Sequence, residues 1–288
     1  MRRLLLALLL SSVAFAQAGP RTNSDLLVST QWLAAHLSDP KLVIVHVGSA
    51  RDYGNGHIPG ARLLTGDRIA SSDAPGTELL PDAQLKSNLE AIGISDDSRV
   101  VIYTPDWQPS ATRLFFTLEY LGFTHAAMLD GGYEAWLAEK RPTSTEPPKV
   151  TPGSLTIHPH PELVVKMDAV KQLVGEAHSG MLLIDSRPLR RYRAGHLPGA
   201  KPMFWEMNLA NADALAQMLK KPEELRKMYE AAGAAPGDKI VSYCEVGLQA
   251  SYTYFIARYL GYDAAMYDGS YSEWSAARQP TVRGDNPR

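Results

Sequence analysis

Cys244 is the only cysteine in a chain of 288 residues, and its setting is one that activates a thiol. It closes the apolar run Lys239-Ile-Val-Ser-Tyr243 and opens a short loop, Glu245-Val246-Gly247-Leu248-Gln249. A helix-like stretch from Ala250 to Leu260 follows at once. A side chain so placed faces the backbone N–H groups of a tight turn and the positive end of a helix dipole. Both favour the thiolate, the form that attacks. The expected chemistry is covalent catalysis through sulfur, set against the commoner fate of a lone cysteine as a small buried hydrophobe.

Such a thiol needs a rigid platform, and the pattern for one occurs twice. Val45 to Ala61 and Ile184 to Ala200 align without a gap at an offset of 139, ending in Gly56-His-Ile-Pro-Gly-Ala61 and Gly195-His-Leu-Pro-Gly-Ala200. Tyr120-Leu-Gly122 matches Tyr259-Leu-Gly261, and Asp130-Gly131, Tyr133 and Trp136 match Asp268-Gly269, Tyr271 and Trp274. A repeat this long is a duplicated domain, not a solenoid unit. In copy one the apolar runs are 42–47, 99–103 and 126–129; in copy two they are 181–185, 239–243 and 264–267. Helical stretches separate them, and one precedes each first core strand, at Ser29–Leu37 and Met167–Leu173. Short, continuously apolar, β-branched runs between helices predict an α/β fold, a mostly parallel sheet covered by helices on both faces.

The Pro- and Thr-rich stretch from Arg141 to Gly153 reads as a linker. The predicted organisation is a first domain over 24–141, a linker over 142–161 and a second domain over 162–282. The copies differ where chemistry would occur. Cys244 falls opposite Thr104 or Pro105, depending on where a one-residue slip is placed, and Arg191 falls opposite Asp52. Copy one is therefore expected to be catalytically empty.

Composition narrows the function class. Hydrophobic residues make up 45% and charged residues 21%, ordinary for a globular protein. The net charge of −2, with no long basic run, gives no footprint for nucleic acid. Arg2-Arg3, the apolar core Leu4–Leu10 and Ala14-Phe-Ala16 have the pattern of a secretory signal peptide over 1–16, too short for a membrane span. Cleavage after Ala16 would reduce the 29 basic residues to 27 against 31 acidic, leaving an exported, membrane-free, soluble protein, periplasmic or secreted. A single thiol cannot close an internal disulfide, and its retention in an oxidising compartment argues for a use. The eight histidines are scattered, His158 and His160 reading as exposed loop residues, so neither a metal site nor a cofactor is expected.

The chain resembles a tandem rhodanese-type sulfurtransferase, of the thiosulfate and 3-mercaptopyruvate sulfurtransferase family, over about residues 24 to 282. The resemblance is carried by Asp185-Ser-Arg187, Arg191-Tyr192, Gly195–Ala200, the Cys244 loop and Asp268-Gly-Ser-Tyr-Ser-Glu-Trp274. It implies two rhodanese-like domains with the active site in the second, at their interface. It implies that a Cys244 thiolate takes the outer sulfur of an anionic, thiosulfate-like or mercaptopyruvate-like donor. The resulting persulfide then yields that sulfur to a thiophilic acceptor such as cyanide or a small thiol. Backbone N–H groups from Glu245 through Val246, Gly247, Leu248 and Gln249 to Ala250 would cradle the anion, with Gly247 permitting the turn. Arg191 matches the family position that binds the donor's anionic group, for which a guanidinium fork is suited. Asp185, Arg187 and His196 are expected to hold structure.

One feature departs from the family pattern, and another argues against the rival reading of a rhodanese-like phosphatase. Thiosulfate-type relatives place basic residues after the cysteine, and mercaptopyruvate-type relatives a glycine and a small hydroxyl residue, but here Glu245 and Val246 follow. Glu245 would repel an anionic donor unless it points away. Related phosphatases have a loop one residue longer that ends in a phosphate-clamping arginine, and here Ala250 and Ser251 stand there instead. The alternative to an enzyme is a non-enzymatic sulfur-carrier or binding module on the same fold; the presence of both Cys244 and Arg191 argues for the enzyme.

Overall fold

The computed structural model describes residues 20–71, 78–105, 107–175 and 180–286. The expected signal peptide over 1–16 lies outside the described residues. The first domain runs β1 (Leu27–Val28), α1 (Thr30–His36), β2 (Leu42–Val47), α2 (Ala50–Asn55), β3 (Arg62–Leu64), α3 (Asp82–Ala91), β4 (Arg99–Tyr103), α4 (Gln108–Tyr120), β5 (Ala126–Leu129) and α5 (Gly132–Ala138). The second runs α6 (Met167–Gly175), β6 (Met181–Asp185), α7 (Leu189–Ala194), β7 (Lys201–Pro202), α8 (Pro222–Ala232), β8 (Lys239–Tyr243), α9 (Leu248–Tyr259), β9 (Asp263–Met266) and α10 (Ser270–Ala276).

Both sheets are parallel, in the orders β1-β5-β4-β2-β3 and β7-β6-β8-β9. A bridge from Val164 to Met266 takes the place in the second sheet that β1 holds in the first. All six residues of β2 are buried, as a strand covered on both faces requires. Its alternate side chains divide between two cores: Val43, Val45 and Val47 enter one, Leu42 and Ile44 the other. Local chemistry sets the helix starts; Ser29 Oγ, for example, accepts the Trp32 N–H at 3.1 Å and caps α1.

The domains meet along α4 and α9, which occupy the same position in the repeat. Thr112 Oγ1 and Ser251 Oγ lie 2.8 Å apart, and Phe115 meets Phe255 and Phe116 meets Tyr254 edge to face. These pairs exchange partners under the repeat offset, as at a two-fold interface between like subunits. One apolar core continues through this contact from both sheets, while each domain keeps a separate core on its far face.

The leading segment of each domain lies on the other domain. The Asn23 N–H bonds the Tyr259 carbonyl, and the His160 N–H bonds the Tyr120 carbonyl, both at 2.7 Å. The Pro- and Thr-rich connection is fastened along its length. Ser144 bridges His57, the Gly153 N–H bonds the Glu90 carbonyl, and the His158 N–H bonds the Leu121 carbonyl. No helix among the described residues is long and apolar enough to cross a membrane.

Candidate active site

β8 is an inner strand, so its last residue delivers the chain to the carboxyl edge of the sheet between two neighbours, a common place for chemistry in parallel sheets. Cys244 is that next residue, and it is 1% exposed. The loop returns at once into α9, the 12-residue helix of the domain interface. Gly247 makes the return in the left-handed region, φ +93°. A Cβ there would lie 2.7 Å from Asp268 Oδ1 and 3.0 Å from the Asp268 carbonyl, so two constraints demand glycine.

The turn aims backbone at sulfur. The Gly247 N–H donates to Cys244 Sγ at 3.1 Å. Burial pushes the Cys244 thiol above its ordinary pKa, while the N–H groups of Ala250, Val246, Gly247 and Gln249 pull it down. Burial wins. The packing thus favours the thiol over the thiolate, which corrects the expectation from loop and dipole alone. The packing that brings four N–H groups to one sulfur also strips it of water. Of the predicted cradle from Glu245 to Ala250, four N–H groups act on the sulfur. Leu248 opens α9, its carbonyl accepting the Ser251 hydroxyl, and the Glu245 carbonyl accepts the Ser272 N–H.

Behind the loop stands a buried charged network. Asp185, at the end of β6, accepts from Arg187 Nη2 at 2.7 Å and from the Tyr243 hydroxyl at 2.7 Å. Arg187 also donates to the Gly195 carbonyl, and its guanidinium lies 3.9 Å above the Tyr271 ring. Burial works against its charge, but Asp185, Tyr243 and Glu245 together hold its pKa above the ordinary value. Arg187 Nη1 reaches Glu245 Oε2 at 3.3 Å. The acid beside the cysteine therefore has a cation of its own, which weakens its repulsion of an anion.

Copy one shows what has been exchanged. The register pairs His46 with Tyr103 and Asp185 with Tyr243, which places Cys244 opposite Thr104 and resolves the slip. The same hydrogen bond confirms the match: Tyr133 N–H to the Thr104 carbonyl, Tyr271 N–H to the Cys244 carbonyl. His46, Gly48, Thr104 and Pro105 thus stand where copy two has Asp185, Arg187, Cys244 and Glu245. Ser270 is a further exchange. It sits at φ +54°, a strained conformation for a residue with a side chain, where copy one has Gly132 at φ +59°. Its hydroxyl accepts the Cys244 N–H at 3.2 Å and donates to the Tyr267 carbonyl. Sequence reasoning set Cys244 against Thr104 or Pro105 and read Asp185 and Arg187 as structural, but it missed their mates His46 and Gly48 and the exchange at Ser270, which a position-by-position comparison of the copies would have found.

Arg191 lies in the last turn of α7 with its side chain exposed, and among the described residues no hydrogen bond or ion pair holds it. His160 pairs with Glu162 at 2.8 Å. Among the described residues no cluster of three or more histidine, cysteine or acidic side chains is placed to bind a metal.

This arrangement defines a class: two parallel α/β domains around a pseudo-two-fold axis, with one thiol in a backbone cradle. The profile of the "Rhodanese-like domain" matches residues 29–139 and 166–277, and the chain belongs to that family. It is 31% identical to the "Sulfur carrier protein TtuD" of Thermus thermophilus, over 91% of this chain and 98% of that one. It is 31% identical to a "Thiosulfate sulfurtransferase" of Azotobacter vinelandii, over 86% and 93%. It is 30% identical to a "Probable 3-mercaptopyruvate sulfurtransferase" of Pseudomonas aeruginosa, over 91% and 100%.

Proposed function

We propose that the protein is a sulfurtransferase with Cys244 as its sulfur-carrying nucleophile. The observation that carries this reading is the lone thiol at the end of β8, bonded by the Gly247 N–H and backed by α9. In the first half-reaction the Cys244 thiolate attacks the outer sulfur of an anionic donor. A Cys244 S–S bond forms as the donor's bond to that sulfur breaks, and the donor leaves with the electron pair, as sulfite from thiosulfate or, from mercaptopyruvate, as the pyruvate enolate, which takes up the proton that the persulfide gives up. In the second, cyanide or a thiolate attacks the outer persulfide sulfur, and Cys244 leaves as thiolate. The persulfide keeps a negative charge, which the cradle meets without reorganisation.

Arg191, exposed and unengaged, is the group we assign to the donor's anionic end. Because neither Glu245 nor Val246 brings a cation to the loop, a doubly charged donor such as thiosulfate should bind weakly. The relative named as a sulfur carrier favours a second reading, in which the protein holds sulfur on Cys244 as a non-enzymatic carrier. The charged start and short apolar core before Ala16 support export, which recovery of mature chain beginning at Gln17 from an exported fraction would test.

The experiment is intact-mass analysis after treatment with thiosulfate or mercaptopyruvate, followed by cyanide or a dithiol. One added sulfur should form on the wild-type protein and disappear with acceptor, and Cys244→Ser should neither gain sulfur nor turn over. Appreciable turnover by the serine variant would refute the assignment. A persulfide that forms but resists every small acceptor would favour the carrier reading.

A further inference from the structure

The interface is close to symmetric, and one buried contact breaks the symmetry beside Cys244. Arg113, on α4 of the domain that has no thiol, is 1% exposed. Its Nη1 lies 2.6 Å from Asp268 Oδ1 and its Nη2 3.0 Å from Asp268 Oδ2. The Leu79 N–H, also from the first domain, donates to Asp268 Oδ2 at 3.1 Å. The first domain thus holds this one carboxylate of the second with three hydrogen bonds. Asp268 is in turn the wall of the Cys244 loop, since its carbonyl and Oδ1 are what a Cβ on Gly247 would strike. Arg113 Nη1 would lie 3.5 Å from that same Cβ.

The other half of the interface is the internal control. Asp130 is the repeat mate of Asp268, and the Leu219 N–H of the opposite domain bonds it at 3.0 Å, just as Leu79 bonds Asp268. The place of Arg113 is taken there by Tyr252. Burial raises the Asp130 pKa, with the Leu219 and Gly131 N–H groups opposing. The Leu219 contact to Asp130 thus forms with a tyrosine in the arginine's place, and among the described residues it is Asp268, on the side that faces Cys244, that a guanidinium holds.

We propose that Arg113 is a positioning residue for sulfur transfer: it fixes Asp268 against Gly247 and so aims the Gly247 N–H at the Cys244 sulfur. The proposal rests on Cys244 being the sulfur carrier. It gives the thiol-less domain a task, because the loop is braced from outside its own domain. The fork suits the task. A bidentate contact fixes the carboxylate plane, and its charge keeps a bare Asp268 from opposing an anion on the sulfur.

The test uses the full chain with Arg113→Met, Arg113→Lys, Asp268→Asn and, as an interface control, Glu119→Gln. Glu119 bonds Tyr254 and Arg258 across the same interface, away from Gly247. The readouts are kcat/KM for sulfur transfer from thiosulfate to cyanide, the pH dependence of Cys244 alkylation by iodoacetamide, and Tm. Arg113→Met should lower kcat/KM by roughly tenfold to a hundredfold, the loss expected from one charged hydrogen bond. It should also move alkylation to higher pH, because a bare carboxylate then faces the loop. Arg113→Lys should recover part of both effects. Asp268→Asn should lower kcat/KM without that upward movement. Glu119→Gln should lower Tm while leaving kcat/KM and alkylation near wild type.

Wild-type kcat/KM and alkylation in Arg113→Met would overturn the proposal. So would losses in Glu119→Gln that follow Tm in the same proportion, since Arg113 would then be an interface bond only. If Arg113→Met does not fold, Asp268→Asn decides: an unchanged rate overturns the proposal, and a lowered rate supports it. Alkylation reads the loop without a sulfur donor, so it separates a failure here from a failure of the sulfurtransferase reading, which Cys244→Ser tests.

Discussion

At Cys244 two effects of one packing arrangement oppose each other, and burial is the larger. An alkylating agent reacts with the thiolate, so its rate rises with pH through the folded-state pKa. That pKa lies above the ordinary thiol value of about 8.5, so alkylation at neutral pH should be slower than for free cysteine and its midpoint higher. A midpoint at or below that of free cysteine would contradict the dominance of burial. Arg191 belongs to the same scale. Arg191→Ala should reduce kcat/KM for an anionic donor by roughly tenfold to a hundredfold, from about 1.5–3 kcal/mol for a charged hydrogen bond. Arg191→Lys should restore only part, because an ammonium cannot reproduce the fork. Unchanged kinetics in Arg191→Ala would remove that residue from the site.

The strand–loop–helix element depends on one backbone position. Gly247 at φ +93° turns the chain and lies against Asp268. Gly247→Ala should therefore cost roughly 1–3 kcal/mol in urea unfolding and reduce sulfur transfer, since the strained turn displaces an N–H from the sulfur. Gly199 supplies the comparison, with φ +83° and nothing within 4 Å of a Cβ. Gly199→Ala should cost only the conformational part, about 1 kcal/mol, and leave activity intact. Equal losses of activity in the two variants would show that contact with Asp268 is irrelevant. Long elements such as β2 and β8 were legible because several apolar β-branched residues adjoin. β1, β3 and β7 were not, because two or three residues carry no period and their pairing is set by the sheet.

At the scale of the whole molecule the domains share a core through α4 and α9. Separating them would expose Phe115, Phe116, Tyr254 and Phe255 together. It would also part Arg113 from Asp268, although water would then solvate both charges, so the apolar contact carries most of the coupling. Thermal unfolding should therefore be one cooperative transition, with calorimetric and van't Hoff enthalpies in agreement. Two transitions, or a second domain that folds and transfers sulfur alone, would contradict this coupling.

The sequence by itself determined the duplication, the α/β class and the prominence of Cys244. These follow from local patterns: apolar runs of strand length, paired Gly-His-x-Pro-Gly-Ala motifs, and a thiol between a strand and a helix. The tertiary structure alone decided the rest. It paired Glu245 with Arg187, set Thr104 opposite Cys244, and brought Arg113 to Asp268 across 155 residues of chain. It also settled the sign at the sulfur, because a dipole can be read from a loop and a helix. The loss of water depends on what the other domain packs against them.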